Sequence, residues 1–244
     1  MDDDVPVLGS ILGVWAHPDD EAYLSAGLMA VAVEAGHHVC CVTATRGELG
    51  FPDDDPTPID ERMALREAEL DACLADLGVT DHRWLDYPDG GCHAVDVDEV
   101  VGRLTAIIDE VRPDVVLSFG PDGATWHTDH IATSRWAALA VRASEPSPRL
   151  LYAAKTPGWV EDFLSLMDPG RVMMSDGPLP PTSEVADLVI HTPLPDGLAD
   201  RKLTALRRQV SQIEPLVEAV GAGEFHRLMR WEMFREPTTE DWPE

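Results

Sequence analysis

The chain has 244 residues, 44% hydrophobic and 26% charged, a composition that supports a folded core and excludes a disordered polymer. Acidic residues outnumber basic ones 45 to 18, giving a net charge of −27, and Lys155 and Lys202 are the only lysines. A field of that sign repels phosphate backbones and anionic lipid, which argues against nucleic acid and membrane surfaces as partners.

In chain order, Ile11 to Ala16 (ILGVWA) reads as a buried strand, followed by helical periodicity to about Ala35 and a stop at Gly36. Val39 to Ala44 is a second apolar strand, with a Gly/Pro/Asp-rich loop from Gly47 to Pro58 behind it. Asp60 to Leu77, rich in Ala, Leu and Glu and closed by Gly78, predicts a helix. A short strand at His82 to Leu85, a loop through Gly91, a helix from Val97 to Val111 and a strand at Val115 to Phe119 follow. Next come a helix from about Asp129 to Ala143 and weaker strands at Arg149 to Ala153 and Leu188 to His191. A last long helix is expected from Leu198 to about Ile213, then a further helical segment and a polar tail. The Pro-rich 176–182 segment reads as a loop rather than a linker, so residues 1–244 are expected to form a single domain. Strand-then-helix alternation predicts an α/β fold, a Rossmann-like, mostly parallel sheet with helices on both faces.

No run approaches the roughly 20 apolar residues of a membrane helix. Met1-Asp2-Asp3-Asp4 is acidic where a secretory leader is basic, so a cytoplasmic location is expected. The four cysteines (Cys40, Cys41, Cys73, Cys92) form no C-x-x-C pair, which argues against a thiolate metal site or a disulfide framework.

Ligands of open parallel sheets bind beyond the carboxyl ends of the strands. That rule selects three segments: His17-Pro18-Asp19-Asp20-Glu21, Thr45-Arg46-Gly47-Glu48, and Gly120 through His130. An imidazole and adjacent carboxylates directly after a strand suit a divalent cation, although Asp19 or Asp20 could instead cap the following helix. His127-x-x-His130 places two imidazoles on one turn, with Asp129 able to orient one of them. His17, Asp20 and His130 together offer three N/O ligands and leave a fourth position for water, the pattern of a catalytic metal. Asp19 and His127 remain as base and acid on either side of that water. His37, His38, His82, His93, His191 and His226 have no such partners at ligand spacing.

The strings A-H-P-D-D-E, T-R-G-E, Y-P-D-G-G at 87–91 and F-G-P-D-G…H-x-D-H resemble the PIG-L/LmbE-like deacetylases. That family includes N-acetylglucosaminyl-phosphatidylinositol deacetylases and enzymes of mycothiol and bacillithiol biosynthesis. The resemblance implies a Rossmann-like domain, a zinc ion (ferrous iron as the alternative) held by His17, Asp20 and His130, Asp19 as general base and His127 as acid. It further implies substrate contacts from Arg66 and Asp89, with Glu48 at the rim of the site, and an N-acetylated sugar as the small-molecule substrate. Two positions depart from the pattern: Thr125 stands where some members carry a mobile tyrosine, and Gln209 where a histidine often precedes Ser-Gln.

The resulting expectation is a zinc-dependent hydrolase that removes an acetyl group from an amino sugar or its glycoside. An amidase of a larger sugar or thiol conjugate would use the same residues. A metal-dependent phosphoester hydrolase would want a cationic cradle that a chain with two lysines supplies poorly. A dinucleotide enzyme would carry G-x-G-x-x-G after the first strand, where His-Pro-Asp-Asp stands.

Overall fold

A computed structural model describes residues 5–166, 173 and 179–243. Seven strands form one sheet: β1 (Ile11–Trp15), β2 (Val39–Thr43), β3 (Asp81–Trp84), β4 (Val115–Phe119), β5 (Arg149–Ala153), β6 (Ile190–Pro193) and β7 (Trp231–Arg235). Their order is β3-β2-β1-β4-β5-β7-β6. The first five are parallel, and β7 runs antiparallel to both β5 and β6. Helices α1 (Asp20–Glu34), α2 (Ile59–Leu77), α3 (Val97–Val111), α4 (Thr128–Ala143), α5 (Pro157–Leu166), α6 (Asp196–Leu206), α7 (Val210–Val220) and α8 (Ala222–Met229) cover it.

β1, β2 and β4 are buried at every position and mostly apolar, with both faces covered by helices, and the Ser118 hydroxyl in β4 donates to the Val14 carbonyl. Ile11, Trp15, Val39, Cys41 and Leu117 pack with residues of α1 and α2, whereas Leu12, Val14, Cys40, Val42 and Val116 pack with α3 and α4. Helix ends follow local chemistry. Gly78 stops α2 in the left-handed conformation (φ 77°), and the Asp96 side chain accepts from the amides of Asp98 and Glu99 to start α3.

Three regions differ from the sequence expectation. The helix expected from Leu198 to Ile213 is two, α6 and α7, broken at Arg207–Gln209. The break is made by tertiary partners: Glu69 of α2 accepts from Ser211 N and Oγ at 2.7 and 2.6 Å, and the buried Gln209 amide donates to Glu21 at 2.9 Å. The polar tail contains β7, whose buried Glu232 is neutralised by Lys202 at 3.0 Å. The segment after β5, given no element, forms α5, and the strand expected at Leu188–His191 lies two residues later as β6. The 176–182 loop falls partly outside the described residues. No helix among the described residues is long and apolar enough to cross a membrane. All four cysteines are buried and free.

Candidate metal centre and active-site pocket

β1 connects to β2 on one side and is paired with β4 on the other, so the chain reverses its direction of travel across the sheet between β1 and β4. The crevice at their carboxyl ends is the expected ligand position of such a sheet. His17 follows β1, Asp20 opens α1, and His127 and His130 bracket the start of α4.

His17 Nδ1 and His130 Nε2 lie 3.1 Å apart. The Asp20 carboxylate closes the triangle, Oδ2 at 3.7 Å from His17 Nδ1 and Oδ1 at 3.5 Å from His130 Nε2. Two bonds of about 2.0–2.1 Å at a tetrahedral angle put ligand nitrogens about 3.3–3.4 Å apart, so this spacing fits a divalent ion. The remaining ring nitrogens are engaged as metal-binding imidazoles require. His130 Nδ1 faces the Gly123 carbonyl at 2.9 Å, and His17 Nε2 faces Asp89 at 3.1 Å and Asp129 at 3.4 Å. Those contacts give the far nitrogen of each ring an acceptor and leave His17 Nδ1 and His130 Nε2 facing one another.

Two other trios also lie within one another's reach, His17/His127/His130 and His17/Asp89/Asp129. The second uses His17 Nε2, the nitrogen already shared between carboxylates. In the first, His127 Nδ1 accepts the Asp129 amide at 3.1 Å and caps α4. The set with Asp20 uses a carboxylate whose Oδ2 already accepts the His17 amide, which leaves Oδ1, 3.5 Å from His130 Nε2, to face the centre.

Support for the centre is local and specific. His130 stacks on Phe119 with ring centroids 4.1 Å apart. Gly123 sits at φ 64°, and a Cβ there would come within 2.8 Å of His130 Cβ, so only glycine lets the loop pass. Asp129 accepts from the amides of Gly90 and Cys92 at 2.7 and 3.1 Å. It was expected to orient one of its own helix's histidines; instead it faces His17, because the 90–92 turn draws its carboxylate across the crevice.

Asp19 occupies φ 97°, a conformation costly for a residue with a Cβ. Its carboxylate makes no helix cap, and Asp20 Oδ2 instead accepts the His17 amide at 2.8 Å, so capping explains neither acid. Glu21 Oε2 accepts the Asp19 amide at 3.0 Å, while Arg66 donates to the Pro18 carbonyl and to Asp19 Oδ2. Arg66, expected as a substrate contact, is 2% exposed and turned onto the Pro18–Asp19 turn. Asp89 spends one oxygen on His17 and the other on the Leu49 amide, and buried Glu48 accepts the Asp89 amide at 3.0 Å.

Burial pushes the Asp19 carboxyl up to about 7, with Arg66 opposing, and pushes Glu21 up to about 8, helped by Asp19. Burial lowers His127 to about 4 and His130 to about 3, with His17 repelling both. For His17, burial is outweighed by Asp129 and Asp89, which hold it up to about 10; burial of Asp89 is likewise outweighed by His17, which holds it at about 2. His127 is thus a neutral imidazole at pH 7 with its proton on Nε2, since Nδ1 accepts a backbone amide.

Sequence reasoning assigned no role to Glu21 or to Gln209's amide, which together hold the Asp19 turn. The available signal was a third acid in the first turn of a helix whose remaining residues are almost all apolar. The centre opens into a pocket of about 1270 Å³ lined by His17, Asp19, Arg66, Asp89, His127 and His130 among others.

The profile of the GlcNAc-PI de-N-acetylases (PIG-L) matches residues 12–141. The 1D-myo-inositol 2-acetamido-2-deoxy-alpha-D-glucopyranoside deacetylase of Streptomyces avermitilis is 32% identical over 91% of this chain and 92% of its own. The enzyme of the same name from Acidothermus cellulolyticus is 34% identical over 84% and 80%. The N,N'-diacetylchitobiose deacetylase of Pyrococcus horikoshii, 22% identical, shares the fold over 95% of this chain and 88% of its own at a TM-score of 0.60.

Proposed function

The chain belongs to the GlcNAc-PI de-N-acetylase (PIG-L) family, and from that premise we propose that it is a zinc-dependent hydrolase releasing acetate from an N-acetylated amino sugar or its glycoside. The observation that carries the reading is the convergence of His17 Nδ1, His130 Nε2 and Asp20, with the far nitrogen of each ring held by another acceptor. Imidazole and carboxylate donors in a three-ligand set suit zinc with one position left open.

Bound there, zinc would polarise the acetamide carbonyl and acidify a water molecule. Asp19, held by Arg66 beside the centre, is the group placed to take a proton from a water molecule as the water oxygen joins the carbonyl carbon. His127, neutral with its proton on Nε2, donates a hydrogen bond to the oxyanion, an interaction of a kind that contributes about 100- to 1,000-fold. The C–N bond then breaks as the nitrogen receives from Asp19 the proton taken from water, and acetate and the free amine leave, with His127 still the hydrogen-bond donor rather than the acid expected of it. Arg66 and Glu21 keep Asp19 in its left-handed turn, so Arg66 serves the base as well as the substrate.

The test is acetate release, read as a loss of about 42 Da by mass spectrometry, from a panel of acetamido sugars and glycosides with zinc-loaded and chelated protein. Acetate formed only by the loaded protein is the expected result. Metal-replete protein that leaves the whole panel intact yet cleaves phosphoesters overturns the reading.

A further inference from the structure

The pocket continues well beyond the candidate centre. At about 1270 Å³ it exceeds the roughly 300–1,000 Å³ of ordinary small-molecule sites, so a monosaccharide leaves much of it free. Its far part is walled by Trp159, Phe163, Leu216, Phe225 and Met229. Phe163 and Phe225 are 6% and 1% exposed, and Trp159 stacks on Phe163 with centroids 5.4 Å apart, so these walls are fixed.

Charged residues line the pocket too: Asp187, Glu236, Arg235, which is paired with Asp241, and Lys155. Lys155 lies two residues beyond β5, whose Ala153 is in register with Phe119 of β4, and Phe119 stacks on His130. Neighbouring strands are about 4.8 Å apart, which sets Lys155 on the same rim as the centre, one strand over. Its surroundings disfavour its charge. Burial dominates, Lys202 repels it, and together they hold the ammonium down to about 7 against Glu232 alone. The positive end of α5 begins two residues later and adds to the same field. Glu232 is itself committed, to Lys202 at 3.0 Å and to the amides of Gly27 and Leu28 at 2.7 and 2.9 Å. Lys155 keeps only the face of Trp159, 4.5 Å from its ring centroid, and no carboxylate among the described residues reaches it. In a chain of net charge −27, no described carboxylate is paired with this lysine.

We propose that Lys155 is a specificity-determining residue that binds a carboxylate carried on an otherwise apolar aglycone, while the acetamido sugar occupies the metal centre. The carboxylate supplies a counter-charge that none of the described residues gives Lys155, and the aromatic and aliphatic walls take the rest of the aglycone. The sugar half of this statement rests on the function proposed above; the acid subsite does not.

Two measurements test it. The first compares acetate release from a carboxyoctyl glycoside of N-acetylglucosamine with release from its methyl ester. The acid should be favoured roughly 10-fold or more in kcat/KM, as charge-assisted pairing implies. That ratio should fall to about one in Lys155→Met and persist in Lys155→Arg. The second is calorimetric binding of nonanoate and of nonanamide, which needs no hydrolysis. Nonanoate should bind more tightly than the amide, and Lys155→Met should abolish the difference. A ratio of one in the unaltered protein, or a preference that survives Lys155→Met, overturns the inference. If no glycoside is hydrolysed, the proposed function fails alone, and the nonanoate comparison decides the acid subsite by itself.

Discussion

Arg66 clamps Asp19 from behind: its Nη2 donates to the carbonyl of Pro18 and, at 3.3 Å, to the Asp19 carboxylate, with the arginine buried on α2. One guanidinium thereby holds both the strained backbone and the side chain of the proposed base. The spread of donors that allows this is particular to arginine.

Arg66→Lys should therefore leave metal content intact and lower kcat by about 100-fold, the order expected when a reacting group is misplaced by an ångström. Steady-state kinetics and elemental analysis check this. A change confined to KM would make Arg66 a substrate contact with no role in positioning.

The two adjacent acids should separate cleanly. Asp19→Asn should retain the metal and lose about 100- to 10,000-fold in turnover. Asp20→Asn and His130→Ala should lose metal, measured per chain by elemental analysis after gel filtration. If the two asparagine variants exchange behaviours, the carboxylate facing the ion has been misassigned.

Asp129 makes no contact with the proposed ion position, yet it holds His17 from the far side together with Asp89. Asp129→Asn should weaken metal affinity about 10- to 100-fold, as loss of such a partner usually does. A competitive chelator titration gives the value, and unchanged affinity would remove Asp129 from the centre.

The two lysines, Lys202 buried and Lys155 partly so, predict a dependence of stability on pH. Lys155 has its folded value lowered to about 7 from 10.5, so between those values the unfolded chain binds more protons than the folded one. Stability then rises with pH through that window. Lys202 is lowered too and shares Glu232 with Lys155, so the two act in the same direction. The melting temperature of the unaltered protein should gain on that of Lys155→Met between pH 7 and pH 10. A constant difference across the window refutes the lowered value.

How much of this was legible in the sequence depended on whether the cause was local. Parallel strands buried on both faces read as mostly apolar runs, and the bounds of α3, β4 and β5 follow directly from such patterning. The three proposed ligands stood out because each follows a strand end. What was not legible came from contacts made through space. Arg66 reads as a substrate contact, and its hold on Pro18 and Asp19 exists only because α2 packs beside that turn. Asp129 turned to His17 because β1 and β4 are neighbours. β7 was hidden by Glu232, a charge that reads as solvent-exposed until Lys202 and two amides of α1 surround it.

That anchoring of α1 has a temporal side. Glu232 grips the middle of the helix whose first turn carries Asp19 and Asp20, and it lies about a hundred residues after His130, the last of the proposed ligands to be synthesised. At ~5–20 residues per second, translation exposes all three ligands some seconds before the strand that steadies them. During that interval the nascent chain offers imidazoles and a carboxylate without a rigid frame, and a poorly matched ion can enter and leave. β7, which lies between β5 and β6, is the last strand to be synthesised, so the Glu232 anchor on α1 can form only after every proposed ligand has been made.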